Sequence, residues 1–235
     1  MEPDLVYFVK EGIENKELMY SLRSVEKNLP GHRVWIVGSC PYNITPDKRL
    51  SLMQIGNVKY DRVKNMLRRV CDEPGITDDF ILMNDDFFIM ESYIDLDTIY
   101  TNGTLSSLCD RVEKRYNGET GYSKNLRHLE ATLRSMDEGT ANFELHVPMK
   151  INKDKMRGLI ANFPNEHGMR SLYGNLYADA DNIADMPDVK IHSIRQEPTG
   201  EERFLSTSDI SFAIGEVGKY IKKAFPKKSR FESSL

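Results

Sequence analysis

Cysteine is scarce. The 235 residues carry only three, Cys40, Cys71 and Cys109, with no metal-ligand spacing. An odd, scattered set excludes a disulfide scaffold and a thiolate zinc site, and predicts reduced thiols in a cytosolic protein. An excess of one charge is lacking too. Lys and Arg number 32 against 36 Asp and Glu, a formal net charge of −4, which excludes a global basic field for nucleic acid. No apolar run approaches the length of a membrane span. The opening Met1-Glu2-Pro3-Asp4 is acidic and has no signal-peptide pattern, so a cytoplasmic protein without a membrane partner is expected. The phosphate-binding P-loop, a G-x-G-x-x-G after the first strand and a G-x-S-x-G nucleophile elbow are all missing. Their absence weighs against a P-loop NTPase, a dinucleotide oxidoreductase and an α/β-hydrolase. There is no repeat, no low-complexity segment and no convincing linker, so one domain over 1–235 is expected.

What is present centres on Phe80-Ile81-Leu82-Met83-Asn84-Asp85-Asp86-Phe87-Phe88-Ile89-Met90. The first four residues read as a buried strand, and the apolar pattern resumes at Phe87. Burying unpaired carboxylates costs several kcal/mol, so Asp85 and Asp86 need a cation, donors or water. A divalent metal at the carboxyl end of a central strand meets that need, where open α/β sheets place their ligands. An Asp-Asp pair that only ends the strand or makes an Asx-turn is the alternative on local sequence.

Around this stretch the chain reads as α/β. Leu5–Val9 is a strand, Asn15 caps a helix carrying Leu18, Leu22, Val25 and Leu29, Pro30-Gly31 stops it, and Val34–Gly38 is a second strand. That is the size of a βαβ unit, so the sheet is expected to be parallel here. A short strand is expected within 51–57. A helix over about 61–71 should bury Val63, Met66, Leu67 and Val70 and solvate Arg62, Lys64, Arg68 and Arg69. Helices are expected over 123–136, to Ile160 from Asn152 or Asp154, over about 166–177 and over 210–224, with strands at 142–148 and 189–194. The segment 179–188 reads as an acidic loop. Asn102-Gly103 signals a turn.

Four further groups bear chemistry. His146 ends an apolar run before Val147-Pro148; half-burial against backbone is its bland reading. Arg170 and Asp209 lie near helix starts, where a surface arginine and a capping carboxylate are ordinary. Lys219, Lys222, Lys223, Lys227, Lys228 and Arg230 make a basic C-terminus, which reads as a solvated helix face and frayed tail or as an attraction for a polyanion.

Several stretches, in order, resemble the Stealth family of sugar-phosphate transferases. Asp4-Leu5-Val6-Tyr7 is similar to its opening strand. Glu17-Leu18-Met19-Tyr20-Ser21-Leu22-Arg23-Ser24-Val25-Glu26-Lys27-Asn28 is similar to its N-E-L-R-Y-S-L-R-S-I-E-K, and Val34–Val37 to its I-Y-I-V. Pro74-Gly75-Ile76-Thr77-Asp78-Asp79-Phe80, leading to Asn84-Asp85-Asp86, is similar to P-G-L-S-E-x-F before N-D-D. His146-Val147-Pro148 is similar to H-x-P. Phe204–Asp209 with Phe225-Pro226-Lys227-Lys228-Ser229-Arg230-Phe231-Glu232 is similar to the last block, ending F-P-x-x-S-x-F-E. The chain departs at Lys10-Glu11-Gly12, where the family has V-D-G, and at Ser208-Asp209, where it has N-D. The long insertions and membrane anchors of large members have no counterpart.

The resemblance implies a GT-A-like (Rossmann-like) α/β fold, a mixed, mostly parallel sheet flanked by helices. Residues 1–90 would form the nucleotide-sugar half and 91–235 the acceptor half. It implies a nucleotide-sugar donor, a UDP-sugar foremost, and Mg²⁺ or Mn²⁺ on Asp85 and Asp86. Catalytic His146, Asp209 and Asp86 are expected, with donor contacts from Arg23, Arg170, Tyr7 and Asn84. His146 or Asp209 would deprotonate an acceptor hydroxyl. Either the sugar alone or sugar-1-phosphate would move. The acceptor is a glycan or, by analogy with phage enzymes, a hydroxylated DNA base. A degenerate binding module is the non-enzymatic alternative.

Overall fold

The computed structural model describes residues 2–12, 14–52 and 59–233. Its centre is a five-stranded sheet in the order β3-β2-β1-β4-β7. The strands are β1 (Asp4–Val9), β2 (Val34–Gly38), β3 (Lys48–Ser51), β4 (Asp79–Asn84) and β7 (Met149–Asn152). All neighbours are parallel except β4 and β7. The strand expected within 51–57 falls mostly outside the described residues; β3 ends at Ser51, where that range begins. Strands β1 and β2 are buried along their whole length, as continuous apolar runs in a doubly covered parallel sheet must be.

Period-two alternation divides the core. Val6 and Phe8 of β1 point to one face with Trp35, Val37, Phe80 and Leu82. There they meet α2 (Lys59–Asp72), α3 (Leu105–Tyr116), α4 (Gly121–Ser135), α5 (Lys153–Asn162) and α6 (Met169–Tyr177). Leu5, Tyr7 and Val9 point to the other face, against α1 (Lys16–Asn28). A second sheet, β5 (Phe87–Ile89), β10 (Phe204–Thr207) and β9 (Lys190–Ile191), packs on α7 (Asp209–Ile214) and α8 (Glu216–Ala224). Strands β6 (Ile99–Thr101) and β8 (Ile183–Asp185) form a separate parallel pair.

The motif helix α1 has a structural task that its sequence spells out. Ser21, Ser24 and Asn28 lie on its buried face at helical spacing and serve the open edge of β5. Ser21 Oγ donates to the Phe87 carbonyl, Ser24 Oγ accepts the Ile89 N–H at 3.0 Å, and Asn28 Nδ2 donates to the Ile89 carbonyl at 2.6 Å. Side chains thus satisfy an edge that would otherwise leave backbone groups unpaired in the core. Asp4 does similar work at the other end of the sheet. It takes Arg33 bidentately at 2.8 and 2.7 Å, the Trp35 indole at 3.1 Å and the Thr77 N–H at 3.0 Å.

Five expectations need correction. Residues 142–148 are not a strand: the Phe143 N–H goes to Ser171 Oγ, the Glu144 N–H to Asn142 Oδ1 and the His146 N–H to Asp188, so side chains take what a strand partner would. Lys64 is not solvated; it is buried and its ammonium donates to the carbonyls of Phe163, Pro164 and Glu166 at 3.0, 2.5 and 2.8 Å, closing the end of α5. The expected helix 210–224 is two helices meeting at a corner. The Glu216 N–H leaves the helical ladder for the Ile194 carbonyl, and Gly218 packs so tightly that a Cβ there would fall 1.9 Å from the Phe212 carbonyl oxygen. The tail is not frayed. Phe231 is buried and Arg230 holds Asp47 at 2.5 and 2.9 Å. The segment 179–188 also contains β8 rather than being loop throughout.

Among the described residues no helix is long and apolar enough to cross a membrane, and the three cysteines are free.

Candidate active site

Strands β1 and β4 are adjacent and parallel, with Phe8 opposite Asn84. Their carboxyl ends therefore release Lys10 and Asp85-Asp86 side by side. The N-terminus of α1 completes the corner. Asn15 caps that helix through Oδ1, which accepts the Leu18 N–H at 2.9 Å, while its Nδ2 donates to Asp85 Oδ2 at 2.6 Å. One amide both starts the helix and holds the first carboxylate.

The second carboxylate is held from the distant end of the sequence. Lys190 Nζ on β9 lies 2.6 Å from Asp86 Oδ2, and Ser206 Oγ on β10 donates to the same oxygen at 3.1 Å. Next along β10, Thr207 Oγ1 donates to Glu17 Oε1 at 2.5 Å. Asp209, at the start of α7, pairs with Lys10 at 3.2 Å. Four carboxylates thus face two ammonium groups. The imbalance shows in their acidity. Burial, then the Asp86, Asp209 and Asp85 charges, push Glu17 up to about 7. Burial and the neighbouring Asp86 raise Asp85. Burial acts the same way on Asp209, but the Lys10 hydrogen bond and charge outweigh it and hold that group low.

A pH dependence follows. A carboxyl whose folded pKa is raised stays protonated in the fold while the unfolded chain ionises, so its contribution to stability falls as pH rises. For Glu17 that window runs from the ordinary 4.5 to about 7. Melting temperatures across this window are expected to decline less for Glu17→Gln than for the wild type; equal slopes would refute the assignment.

A cleft of about 320 Å³ opens beside the carboxylates, lined among others by Lys10, Gly12, Glu17, Asp209 and Phe212. His146 stands beside Phe87, the residue after Asp86. Its Nδ1 is 2.9 Å from Asp188 Oδ1, and its ring meets Phe87 edge-on with centroids 6.3 Å apart. A carboxylate on Nδ1 leaves Nε2 as the proton acceptor. Burial raises Asp188, yet the His146 hydrogen bond prevails and the group is held low. Arg170 spans the carbonyls of Phe143 and Val147 on both sides of this loop. Burial lowers its guanidinium to about 10 against the opposing pull of Glu144, Asp188 and Asp86.

The geometry sorts the expected residues. Asp85, Asp86 and Asp209 gather around Glu17 and Lys10, while His146 and Arg170 lie against the ring of Phe87, the residue after Asp86; Asn84 is half-buried. Tyr7 does not face the site. Its ring is fully buried and its hydroxyl is 3.0 Å from Ser21 Oγ inside the core, where burial raises the phenol. Arg23 is committed elsewhere: Nε and Nη2 hold Glu232 at 2.7 Å each and Nη1 donates to the Phe225 carbonyl. It clamps the C-terminal segment, not a phosphate. Lys190, Asp188, Glu17 and Asn15 are site members that the sequence reading assigned no role. Asn15 was legible only as a cap. Asp188 precedes and Lys190 lies within the strand expected at 189–194, where nothing in the sequence marks either for chemistry; only the fold brings them to His146 and Asp86.

Mg²⁺ in phosphate-handling sites is bound through one or two carboxylates, with substrate phosphates and water completing the shell. Among the described residues no group of three or more His, Cys, Asp and Glu side chains forms a metal-binding cluster. The paired, hard oxygen donors of Asp85 and Asp86, in a corner with surplus negative charge, fit such a shared site.

The fold recurs in solved structures. The galactosyltransferase LgtC in complex with donor and acceptor sugar analogues superposes with a TM-score of 0.51 at 12% identity, covering 97% of this chain and 98% of that one. An active-site mutant of LgtC gives 0.50 at 11% identity, with the same coverage. The chain has a GT-A fold. The glycosyltransferase GlyE of Streptococcus pneumoniae TIGR4 gives 0.39 at 11% identity over 80% of this chain and 45% of its own, too low to add to the argument. No protein-family model matches the chain, and no curated protein does.

Proposed function

We propose that the protein is a nucleotide-sugar-dependent glycosyltransferase. The observation that carries the reading is the Asp85–Asp86 pair at the carboxyl end of β4 in a chain with the GT-A fold. Residues 1–90 supply the nucleotide side and 91–235 the acceptor side, with Lys190 and Asp209 crossing to the carboxylates. Asp85 and Asp86 would hold Mg²⁺ or Mn²⁺, which neutralises the diphosphate of a UDP-sugar or related donor. Lys190, fixed on Asp86, adds a cation at the same place. His146, oriented by Asp188, takes the proton of the acceptor hydroxyl at Nε2. The hydroxyl oxygen bonds to the anomeric carbon, the bond from that carbon to the diphosphate breaks, and nucleoside diphosphate leaves. Asp209 is a weaker base because Lys10 holds its pKa low. Arg170 positions the His146 loop through its two carbonyl bonds.

The stretches similar to Stealth proteins favour a second reading on the same parts. There the hydroxyl attacks the β-phosphorus, sugar-1-phosphate moves, and nucleoside monophosphate leaves. Incubating the protein with a panel of nucleotide sugars, with and without Mn²⁺ or Mg²⁺, separates the two. Release of nucleoside diphosphate supports sugar transfer, and nucleoside monophosphate supports phosphosugar transfer. Nucleotide binding without consumption across donors and acceptors would leave a binding module. A glycan is the proposed acceptor. On the basic C-terminus, Lys222 already serves the Phe212 and Ala213 carbonyls and Arg230 serves Asp47, leaving exposed Lys223, Lys227 and Lys228 as the cations a DNA acceptor would meet.

A further inference from the structure

Two tyrosines that the proposed chemistry does not use lie on the His146 side of the site. Tyr60, in the first turn of α2, and Tyr122, in the first turn of α4, stack with ring centroids 5.9 Å apart and 9° between their planes. The His167 ring is 5.7 Å from Tyr60. Both tyrosines are partly buried, neither one sealed in the core. The start of α6 ties this ledge to the proton acceptor. Gly168 follows His167, and a Cβ on it would sit 3.4 Å from Glu144 Oε1. Glu144 lies two residues before His146 and is fixed by the Ser171 N–H at 2.9 Å. From the far wall, Arg115 at the end of α3 meets His192 at 3.1 Å, two residues beyond Lys190. Exposed Tyr116 stands beside it. Burial, then Glu144, Tyr60 and Asp188, raise the Tyr122 phenol, which puts the partner of His146 within electrostatic reach of the ledge.

This is a different chemistry from the carboxylate corner, where charge predominates. Flat apolar faces beside a carboxylate, a guanidinium and phenols match a ligand with an apolar C–H face and a rim of hydroxyls. Binding sites of that kind combine aromatic walls with a few placed polar groups. We propose, resting on the transferase reading, that Tyr60 and Tyr122 form the floor of the acceptor-sugar subsite, with Glu144 accepting a sugar hydroxyl next to His146. The sugar ring lies against the tyrosine faces and presents one hydroxyl to Nε2.

The test uses the full chain with lactose, maltose and cellobiose as acceptor probes. Nucleotide release from the donor panel is followed with and without each probe, and probe binding is read by saturation-transfer NMR. Tyr60→Ala is expected to raise acceptor KM about three- to tenfold, the size of one lost ring contact. Donor hydrolysis without acceptor should stay at the wild-type value, and the melting temperature should fall by only a few degrees for the lost stack on Tyr122. Tyr60→Phe, which keeps the ring, should retain the wild-type KM, and Glu144→Gln should raise KM while still accepting the Ser171 N–H. An unchanged acceptor KM in Tyr60→Ala, with donor turnover intact, overturns the subsite and leaves the transferase reading standing. No nucleotide release from any donor overturns the reading; disaccharide NMR signals that vanish in Tyr60→Ala would still support the subsite, and their absence in the wild type would overturn it. Bases also stack on aromatic rings, so saturation by a hydroxymethylated duplex oligonucleotide in place of every disaccharide would overturn it too.

Discussion

Asp85→Asn and Asp86→Asn are each expected to lower nucleotide release by about 10²–10³-fold, the cost of removing one group that stabilises developing charge, while moving stability in opposite directions. Asp85 is a carboxylate that burial and Asp86 hold above its ordinary pKa. Its ionised form therefore opposes folding above the unfolded pKa, and the amide relieves that. Asn15 can still donate to the amide oxygen. The melting temperature of Asp85→Asn should rise, by about 2–4 °C for each kcal/mol in a domain of this size. Asp86→Asn instead removes the counter-charge of Lys190, 2.6 Å away in a mostly buried pair. The amide oxygen can still accept from the ammonium, but a largely buried charge left without its opposite is destabilising, so this variant should melt lower. Turnover with saturating Mn²⁺ and thermal melts at pH 7 check both. Full activity in both variants would remove the carboxylates from the chemistry.

The largest effect on stability is expected at the Arg23–Glu232 pair. Both side chains are almost fully buried, 9% and 5% exposed, and they join α1 to the tail. Removing one partner leaves an uncompensated buried charge, at about 3–5 kcal/mol. Arg23→Ala and Glu232→Ala should each lower the melting temperature by roughly 6–20 °C. The double variant Arg23→Met, Glu232→Leu should lose much less, because no lone charge remains. The pair also gives acid sensitivity. Burial raises the Glu232 carboxyl, but Arg23 and the Ser229 N–H outweigh it and the folded pKa is depressed. Its contribution is thus present above the ordinary 4.5 and lost as pH falls through the lower folded value. A denaturation series from pH 7 to 3 should show the wild type converging on the double variant. If all three variants melt at the wild-type temperature at pH 7, the clamp carries no stability.

Strands β1, β2 and β4 were legible because each is a continuous apolar run bounded by Pro, Gly or Asp, and α1 because Asn15 caps a helical repeat. Helix α3 was not. Of its residues only Leu105 and Cys109 are buried, and its capping box joins Thr104 to Ser107 instead of a Glu or Gln. Lys64 misled for a related reason: a lysine on an amphipathic helix looks solvated until three carbonyls from another segment close on it. In the site, Asp85 and Asp86 stood out because carboxylates inside an apolar run require an explanation. Lys190 and Asp188 required none locally. Their importance lies in pairings across the fold, which no spacing rule records. Arg23 and Tyr7 show the reverse error, since a motif residue can matter for the framework that presents a site without touching what binds there.

The partners that complete the carboxylate corner lie far apart along the chain. Lys190 is 104 residues from Asp86, Ser206 is 120 from it, and Thr207 is 190 from Glu17. Contacts of such separation form late, because loop closure must precede their reward. The parallel strands and α1 can assemble early, but the corner has Lys10 as its one ammonium group and lacks Lys190 and the Ser206 and Thr207 hydroxyls until β9 and β10 dock beside β5. During refolding from denaturant, helical signal should therefore return before ligand binding does, and the interval between them times the docking of β9 and β10.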